Sequence, residues 1–340
     1  MRFVTRAMIH TFFRRVQVDG ADRLPATGPV ITVANHANGL VDGLLLMSRL
    51  PRWPRFLGKA TLFDIAPLRP FLNLAGVIPV YRAKDAKAGD NDRAAQNEAT
   101  FAACRTLLAE GDVVSIFPEG ISHDLNTLQP LRTGAARIAL SAAFDEHADS
   151  LRIVPIGLAY DAKSTFRSHA LITIGDPIAV EQWRDAYATD PMGTVRACTE
   201  AITAGLSAVS PDNALVSPPN AVARQLRFGA AVRAARVAAP RLGLLVAAPV
   251  ALAGAVIHAV PYQIMKRVGR LPKSESIKST VKLLGCTVLF VIEWLGLSIV
   301  AWRKRGPLAA AITLIVCPAT GYTAVRFAEA LRDTAAAGTR

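Results

Sequence analysis

The sequence predicts an α/β protein, a mixed and largely parallel sheet flanked by helices, followed by an all-α membrane region at the C-terminal end. Three observations carry this. Short apolar runs such as Val30–Ala34 and Val113–Phe117 alternate with helical stretches over the first two thirds of the chain, the pattern of βα units. Reactive side chains sit directly after those runs, and an open α/β sheet binds its ligands at the carboxyl ends of its strands. Beyond about residue 240 charge nearly vanishes over long windows.

The elements follow in order. Residues 2–16 read as a basic amphipathic helix, with Phe3, Val4, Ala7, Met8, Phe12 and Val16 near helical spacing among Arg2, Arg6, Arg14 and Arg15. Such a helix lies on an anionic bilayer or packs on the core. A turn-rich stretch, residues 20–29, leads into the Val30–Ala34 strand. Helices are expected over residues 42–49, 67–75, 94–110, 133–143 and 191–209. Strands are expected over residues 55–59, 76–81, 113–117, 153–159 and 171–175, with Asp176-Pro177 closing the sheet pattern. Residues 83–93 read as a charged loop. The domain boundaries expected are 1–19 for the basic membrane-surface helix, 20–210 for the catalytic domain, 211–241 for a linker and basic surface helix, 242–325 for membrane-embedded helices and 326–340 for a tail.

Composition narrows the partners. The 340 residues carry a net charge of +13, a pI near 10.1 and a mean hydropathy of +0.30. That balance favours an anionic partner, nucleic acid or an acidic membrane face. The apolar runs at residues 242–260, 281–302 and 308–325 decide for anionic membrane lipids. No nucleic-acid partner is expected, since there is no RNA-binding aromatic signature or Cys/His finger spacing. The first two runs are long enough to span a bilayer and the third is marginal. Basic residues flank both ends of the first run, so it is expected to be re-entrant or shallow, with the other two forming a hairpin. The catalytic domain is then expected to face the cytoplasm. No signal peptide is evident. Cys104, Cys198, Cys286 and Cys317 show no metal-ligand spacing and are expected to be reduced, buried thiols. No metal and no cofactor are expected.

Four blocks carry the chemistry. In Asn35-His36-Ala37-Asn38-Gly39-Leu40-Val41-Asp42, His36 suits a general base and Asp42 its orienting carboxylate. Five residues separate them, so they share no face of a regular helix unless the chain turns at Asn38-Gly39. Gly76 to Arg82 ends in a guanidinium suited to phosphate. Phe117-Pro118-Glu119-Gly120 is a turn at a strand end, followed by Arg132 and Thr133 at a helix start, a ready anion site. Val154-Pro155-Ile156-Gly157 is the fourth block. Read alone, His36 and Asp42 are an accidental pair, Arg82 a solvated charge and the fourth block a buried strand. Their order and strand-end placement favour a site.

Together, over about residues 25–180, these blocks resemble the phospholipid/glycerol acyltransferase superfamily. The resemblance implies transfer of an acyl group from an acyl thioester, acyl-CoA or acyl-carrier protein, to a glycerol-phosphate acceptor, glycerol-3-phosphate or lysophosphatidate. It implies His36 as base and Asp42 as its orienter. Arg82, Glu119 and Gly120, with Arg132 and Thr133, would bind the glycerol-phosphate end, and Asn38, Val154 and Pro155 would lie on the acyl side. The thioester is then a substrate, not a resident cofactor. Most of the family has four residues between His and Asp. The five found here, with Asn38 and Ile121-Ser122-His123, are similar to a subgroup that includes fungal-type glycerol-3-phosphate/dihydroxyacetone-phosphate acyltransferases. No Ser or Cys sits in a nucleophile turn, which disfavours a lipid hydrolase. A non-catalytic lipid-binding or membrane-shaping protein is the alternative reading. His123 is read as lining the site or as structural, His10, His147, His169 and His258 as bystanders, and Glu293 as protonated or helix-paired within its apolar run.

Overall fold

The structure is a computed structural model that describes residues 1–66, 68–81, 93–125, 127–144, 148, 150–210 and 241–337. The chain divides into two compact units, Met1–Leu226 and Arg227–Arg340.

In the first unit, among the described residues, eight strands form one sheet: β1 (Phe13–Asp19), β2 (Val30–Ala34), β3 (Pro54–Lys59), β4 (Ile78–Val80), β5 (Val113–Ile116), β6 (Arg152–Tyr160), β7 (Ser168–Ile174) and β8 (Ile178–Ala179). Their order is β1-β7-β6-β2-β5-β3-β4, with β8 on β6. β2 runs parallel to both β5 and β6, and β3 parallel to β4 and β5. β6 is antiparallel to β7 and β8. All five residues of β2 are buried, which a central strand covered on both faces requires.

The helices of this unit are α1 (Arg2–Phe12), α2 (Leu40–Arg49), α3 (Arg69–Ala75), α4 (Arg93–Ala109), α5 (Gly134–Phe144), α6 (Arg184–Thr189) and α7 (Pro191–Val209). After β2 the chain crosses β5 to reach β3. After β5 it crosses β2 in the opposite direction to reach β6. Right-handed crossovers in opposite directions put α2 and α5 on opposite faces. They leave a crevice between the carboxyl ends of β2 and β5, the switch point at which such sheets bind ligands.

Local chemistry explains the element ends. The Asp190 side chain accepts a hydrogen bond from Gly193 N–H at 2.9 Å and Pro191 fills the first helical position, so α7 starts there. Gly111, at φ +82°, ends α4 in a backbone conformation that costs other residues about 1 kcal/mol or more. Cys104 and Leu108 of α4, Ile138 and Leu140 of α5 and Ile202 and Leu206 of α7 close over Ile31, Val33, Val114 and Ile153 of the sheet. Each fully buried branched side chain contributes about 1.5–3 kcal/mol.

The structure departs from the sequence-based expectations at several elements. The amphipathic helix stops at Phe12 rather than running to Val16, and residues 13–19 are an edge strand parallel to β7. Val16 and Val18 alternate with Arg15 and Gln17, and this period of two prevails over the helical pattern. Thr5, Met8, Ile9 and Phe12 of α1 are buried, while Phe3 and Val4 stay exposed. The inner face of α1 is therefore committed to the core. A second strand, β8, follows Pro177 where the sheet pattern was expected to end.

The second unit holds α8 (Arg241–Ile257), α9 (Ala259–Val268), α10 (Glu275–Arg305) and α11 (Pro307–Ala337). α10 and residues Pro307–Asp333 of α11 are long and apolar enough to cross a membrane. The 31 residues of α10 rise about 46 Å, against a hydrocarbon core of about 30 Å. Val291, Ile292, Leu295, Ile299, Ile312 and Ile315 are exposed, as a lipid-facing surface requires. The stretches Gly243–Ile257 and Ala259–Val268 meet at a 61° bend, the geometry of a broken span or re-entrant loop. His258 stands at the bend. Its ring is 7% exposed, with Nδ1 2.5 Å from Glu293 Oε2 and Nε2 2.9 Å from Cys317 O. Glu293 thus finds its partner on another helix. α11 continues to Ala337, so most of the expected 326–340 tail is helix. Its Ala, Leu, Arg and Glu residues are strong helix formers, and Arg326 pairs with Glu329 at 3.1 Å.

Candidate active site

The site stands at the crevice between β2 and β5. Asn35, the first residue past β2, uses its side chain as a further rung of the ladder. Its Nδ2 donates to Leu158 O at 3.0 Å and its Oδ1 accepts from Leu158 N–H at 2.7 Å. The main chain then turns. Val41 N–H and Asp42 N–H donate to Asn38 O and Gly39 O, and Asp42 enters the first turn of α2.

The turn brings the two separated residues together. His36 Nδ1 lies 3.0 Å from Asp42 Oδ2, and Asn38 N–H donates to the same oxygen at 2.7 Å. Tyr160, the last residue of β6, donates its hydroxyl to Asp42 Oδ1. Asp42 is fully buried, and its charge is met by three donors, as a buried carboxylate requires. With Nδ1–H given to Asp42, Nε2 of neutral His36 carries the lone pair. Nε2 has no hydrogen-bond partner among the described residues, and the ring is 19% exposed. One ring face stacks on Phe117, with centroids 4.0 Å apart and planes 10° apart.

Glu119 is a second buried carboxylate, 2% exposed. Its Oε1 accepts from His36 N–H at 2.7 Å. Its Oε2 accepts from Gln129 N–H at 2.8 Å and lies 2.5 Å from His123 Nε2. His123 N–H donates back to His36 O at 3.3 Å. Glu119 therefore ties its own turn to the His36 loop and to the 129 strand of chain, and its oxygens are occupied by protein donors. Gly120, at φ +67°, makes the tight turn; a Cβ there would lie 3.5 Å from the Arg132 stem. Ser122 Oγ accepts from Gly39 N–H at 3.1 Å. Lys163 Nζ donates to Ala37 O and Asp124 O, and Asn38 Nδ2 donates to Lys163 O.

Beside this lies a cavity of about 250 Å³ lined by Glu119, Ile121, Gln129, Pro130, Leu131 and Arg132. Arg132 and Thr133 are exposed at the start of α5. Arg82 lies outside the described residues. Val154 and Pro155 do not reach the crevice: both are buried mid-strand, in register with Thr32 and Val33 of β2. At that depth β6 is covered on both faces. No group of three or more His, Cys, Asp or Glu residues able to hold a metal occurs among the described residues.

The electrostatics separate donors from bystanders. Burial, the Asp42 charge and the Asp42 hydrogen bond push the Tyr160 hydroxyl well above its usual range, so it is a donor. Burial pushes the Cys104 and Cys198 thiols up to about 12, which leaves them un-ionised and unreactive. Tyr160 and Lys163 were not singled out in the sequence, whereas His123, read as lining the site or as structural, meets Glu119. Tyr160 is legible only through register: Ala34 pairs with Ile156, which carries the end of β6 past the His36 loop.

Comparison with known proteins places these residues in context. Residues 15–159 match the family model described as Acyltransferase. The chain is 36% identical over 115 residues to glycerol-3-phosphate O-acyltransferase 2 of Saccharomyces cerevisiae, covering 34% of this chain and 16% of that one. It is 31% identical over 128 residues to the 1-acyl-sn-glycerol-3-phosphate acyltransferase alpha of Mus musculus, covering 38% and 42%. The chain thus spans less than half the length of either of these curated relatives. The crystal structure of the 1-acyl-sn-glycerophosphate acyltransferase PlsC from Thermotoga maritima overlaps 60% of this chain and 76% of its own, with 16% identity and a TM-score of 0.42.

Proposed function

From the premise that this chain belongs, through its acyltransferase domain, to the superfamily of glycerol-3-phosphate and 1-acylglycerol-3-phosphate acyltransferases, we propose that it transfers a fatty acyl group from an acyl thioester to the hydroxyl of a glycerol-phosphate acceptor at a membrane. The observation that carries this is the His36–Asp42 pair, with Nδ1 held and Nε2 without a partner among the described residues, opening beside a cavity flanked by Arg132.

In this mechanism His36 Nε2 takes the acceptor hydroxyl proton as the oxygen attacks the thioester carbonyl. A C–O bond forms and the carbonyl oxygen becomes an oxyanion. The oxyanion collapses, the C–S bond breaks, and the leaving thiolate takes the proton from the imidazolium. His36 returns neutral, and no acyl-enzyme forms. Asp42 stabilises the transient imidazolium and keeps the ring in one tautomer. General-base action of this kind supplies about 10²–10⁴-fold. The acceptor phosphate lies against the Arg132 guanidinium and the Thr133 hydroxyl. Arg82, at the end of the second block, adds a further cation. Glu119 and Gly120 shape this subsite rather than ligate the phosphate, since both Glu119 oxygens are already engaged. The thioester, acyl-CoA or acyl-carrier protein, enters as substrate.

The second unit anchors the enzyme in a membrane of anionic lipids, with α10 and α11 as a hairpin and α8–α9 as a re-entrant segment. The arginines at 224, 227, 233, 236 and 241 support a cytoplasm-facing catalytic domain, as basic flanks of membrane segments do.

The test is the full chain in phospholipid vesicles with labelled palmitoyl-CoA and, separately, glycerol-3-phosphate, dihydroxyacetone phosphate and lysophosphatidate. Transfer to at least one acceptor, reduced about 10³-fold in His36→Ala, is expected. Binding to vesicles without any transfer, or unchanged transfer by His36→Ala, overturns the proposal. The first outcome favours a lipid-binding protein.

A further inference from the structure

We propose that Tyr160 is a positioning residue for this reaction, and that the working unit is Tyr160–Asp42–His36 rather than the His–Asp pair alone. The proposal rests on the acyltransferase reading for its kinetic consequence and on the hydrogen-bond geometry for the coupling itself.

Oδ2 of Asp42 is shared by His36 Nδ1 and Asn38 N–H, whereas Oδ1 receives the Tyr160 hydroxyl. Asp42 has no exposure to solvent. Without Tyr160, Oδ1 would be a buried anionic oxygen whose hydrogen bond water cannot readily replace. A carboxylate held at both oxygens cannot rotate about its own axis, so Oδ2 stays aimed at the imidazole. Deleting the hydroxyl frees that rotation.

Tyr160 is itself fixed. Its ring stacks on Phe13, centroids 5.7 Å apart and planes at 28°, and Phe13 is 1% exposed. The Asn35 side chain clasps Leu158, two residues before it. The distance from the end of β6 to the His36 loop is thereby set by the sheet. The direction of donation is unambiguous, because burial and the neighbouring Asp42 charge keep the phenol protonated.

The charged and titratable groups around His36 are Asp42 on the ring, Glu119 on its main-chain N–H, His123 behind Glu119, and Lys163 on Ala37 O. Of these only Asp42 meets the ring nitrogen, and Tyr160 acts through it. Removing the hydroxyl leaves more of the Asp42 charge on Oδ2. The imidazolium is then favoured, and the acid limb of the rate–pH profile moves to higher pH.

The experiment is Tyr160→Phe, which keeps the stacked ring, in the vesicle-reconstituted full chain. Transfer from palmitoyl-CoA to the accepted glycerol phosphate is expected to lose about 10–100-fold in kcat. KM values stay within about twofold, and the acid limb shifts upward. In an Asp42→Asn background Tyr160→Phe is expected to add little, because the two residues act as one unit. A wild-type kcat and profile, or full additivity with Asp42→Asn, overturns the proposal.

A readout that needs no turnover is the downfield Nδ1–H proton resonance of His36, assigned by its loss in His36→Ala. It is expected to move in Tyr160→Phe, and an unmoved resonance overturns the proposal. A moved resonance in a protein that transfers no acyl group removes the acyltransferase reading and leaves the coupling standing. Should Tyr160→Phe fail to fold, Phe13→Leu supplies the second variant: it loosens the ring's support without touching the hydroxyl, and the same resonance is expected to shift or broaden. An unchanged resonance in that variant counts against the proposal.

Discussion

The main-chain N–H of His36 donates to Glu119 Oε1 at 2.7 Å, across 83 residues of sequence. The carboxylate that the Pro-Glu-Gly turn offers to the crevice is engaged by the loop that carries His36. The two strand-end turns of the switch point are therefore one rigid piece, with Glu119 also gathering His123 and Gln129.

Glu119→Gln is predicted to lower kcat far more than it raises KM. An amide presents one acceptor atom in place of two, so either His36 N–H or the His123–Gln129 side meets an N–H₂ group. Each buried donor left unmatched costs about 1–3 kcal/mol. We expect a lower unfolding midpoint and about 10–100-fold less transfer. Thermal unfolding alongside initial rates at varied acceptor concentration checks both. A raised acceptor KM with intact kcat would return Glu119 to the role of ligand.

Asp161, just past the end of β6, makes an acid-labile tie to His169 of β7. Burial works to raise its pKa, but hydrogen bonds from the His169 ring and main-chain N–H, at 2.7 Å each, outweigh burial and hold it below the ordinary carboxylate range. A depressed folded-state pKa adds stability above the unfolded value and loses it as pH falls through the folded value. Unfolding midpoints between neutral pH and about pH 3 are predicted to fall less steeply in Asp161→Asn than in wild type, and the two proteins converge at the acid end. Parallel curves would show that the pair contributes nothing to the pH dependence.

His258 and Glu293 are predicted to be energetically coupled within the second unit. Both ring nitrogens face oxygen atoms, Glu293 Oε2 and Cys317 O, so the imidazole links two further helices. Losing either side chain strands the other among apolar helices. His258→Ala and Glu293→Ala are each expected to destabilise, and the double variant by less than their sum. The coupling expected is about 0.5–1.5 kcal/mol, read by unfolding in detergent micelles. Strict additivity would leave the contact without energetic weight.

Much of the sheet was legible because β2, β5 and β6 are short apolar runs bounded by turn residues, the form a doubly covered strand takes. The dyad was legible only as a conditional, since the Asn38-Gly39 turn had to exist before His36 and Asp42 met. β1 was hidden because Val16 continues the helical spacing of Phe3 to Phe12, and pairing with β7 is a long-range event that no local window contains. The burial of Val154 and Pro155 in mid-strand was not legible for the related reason that a motif's position in sequence does not give its depth in the sheet. Tyr160 and the inward turn of Glu119 were invisible, because each depends on a partner more than 80 residues away. The partners of His258 were not legible because they lie on other helices.

The Asn35 amide imitates a peptide unit: it supplies one donor and one acceptor to Leu158 while its own backbone leaves the strand plane. The hinge of the imidazole-bearing segment is thus soldered to a strand buried at the centre of the sheet. Precision in aiming that ring is inherited from the architecture underneath, and the segment itself is free to be short, polar and open on its outer side.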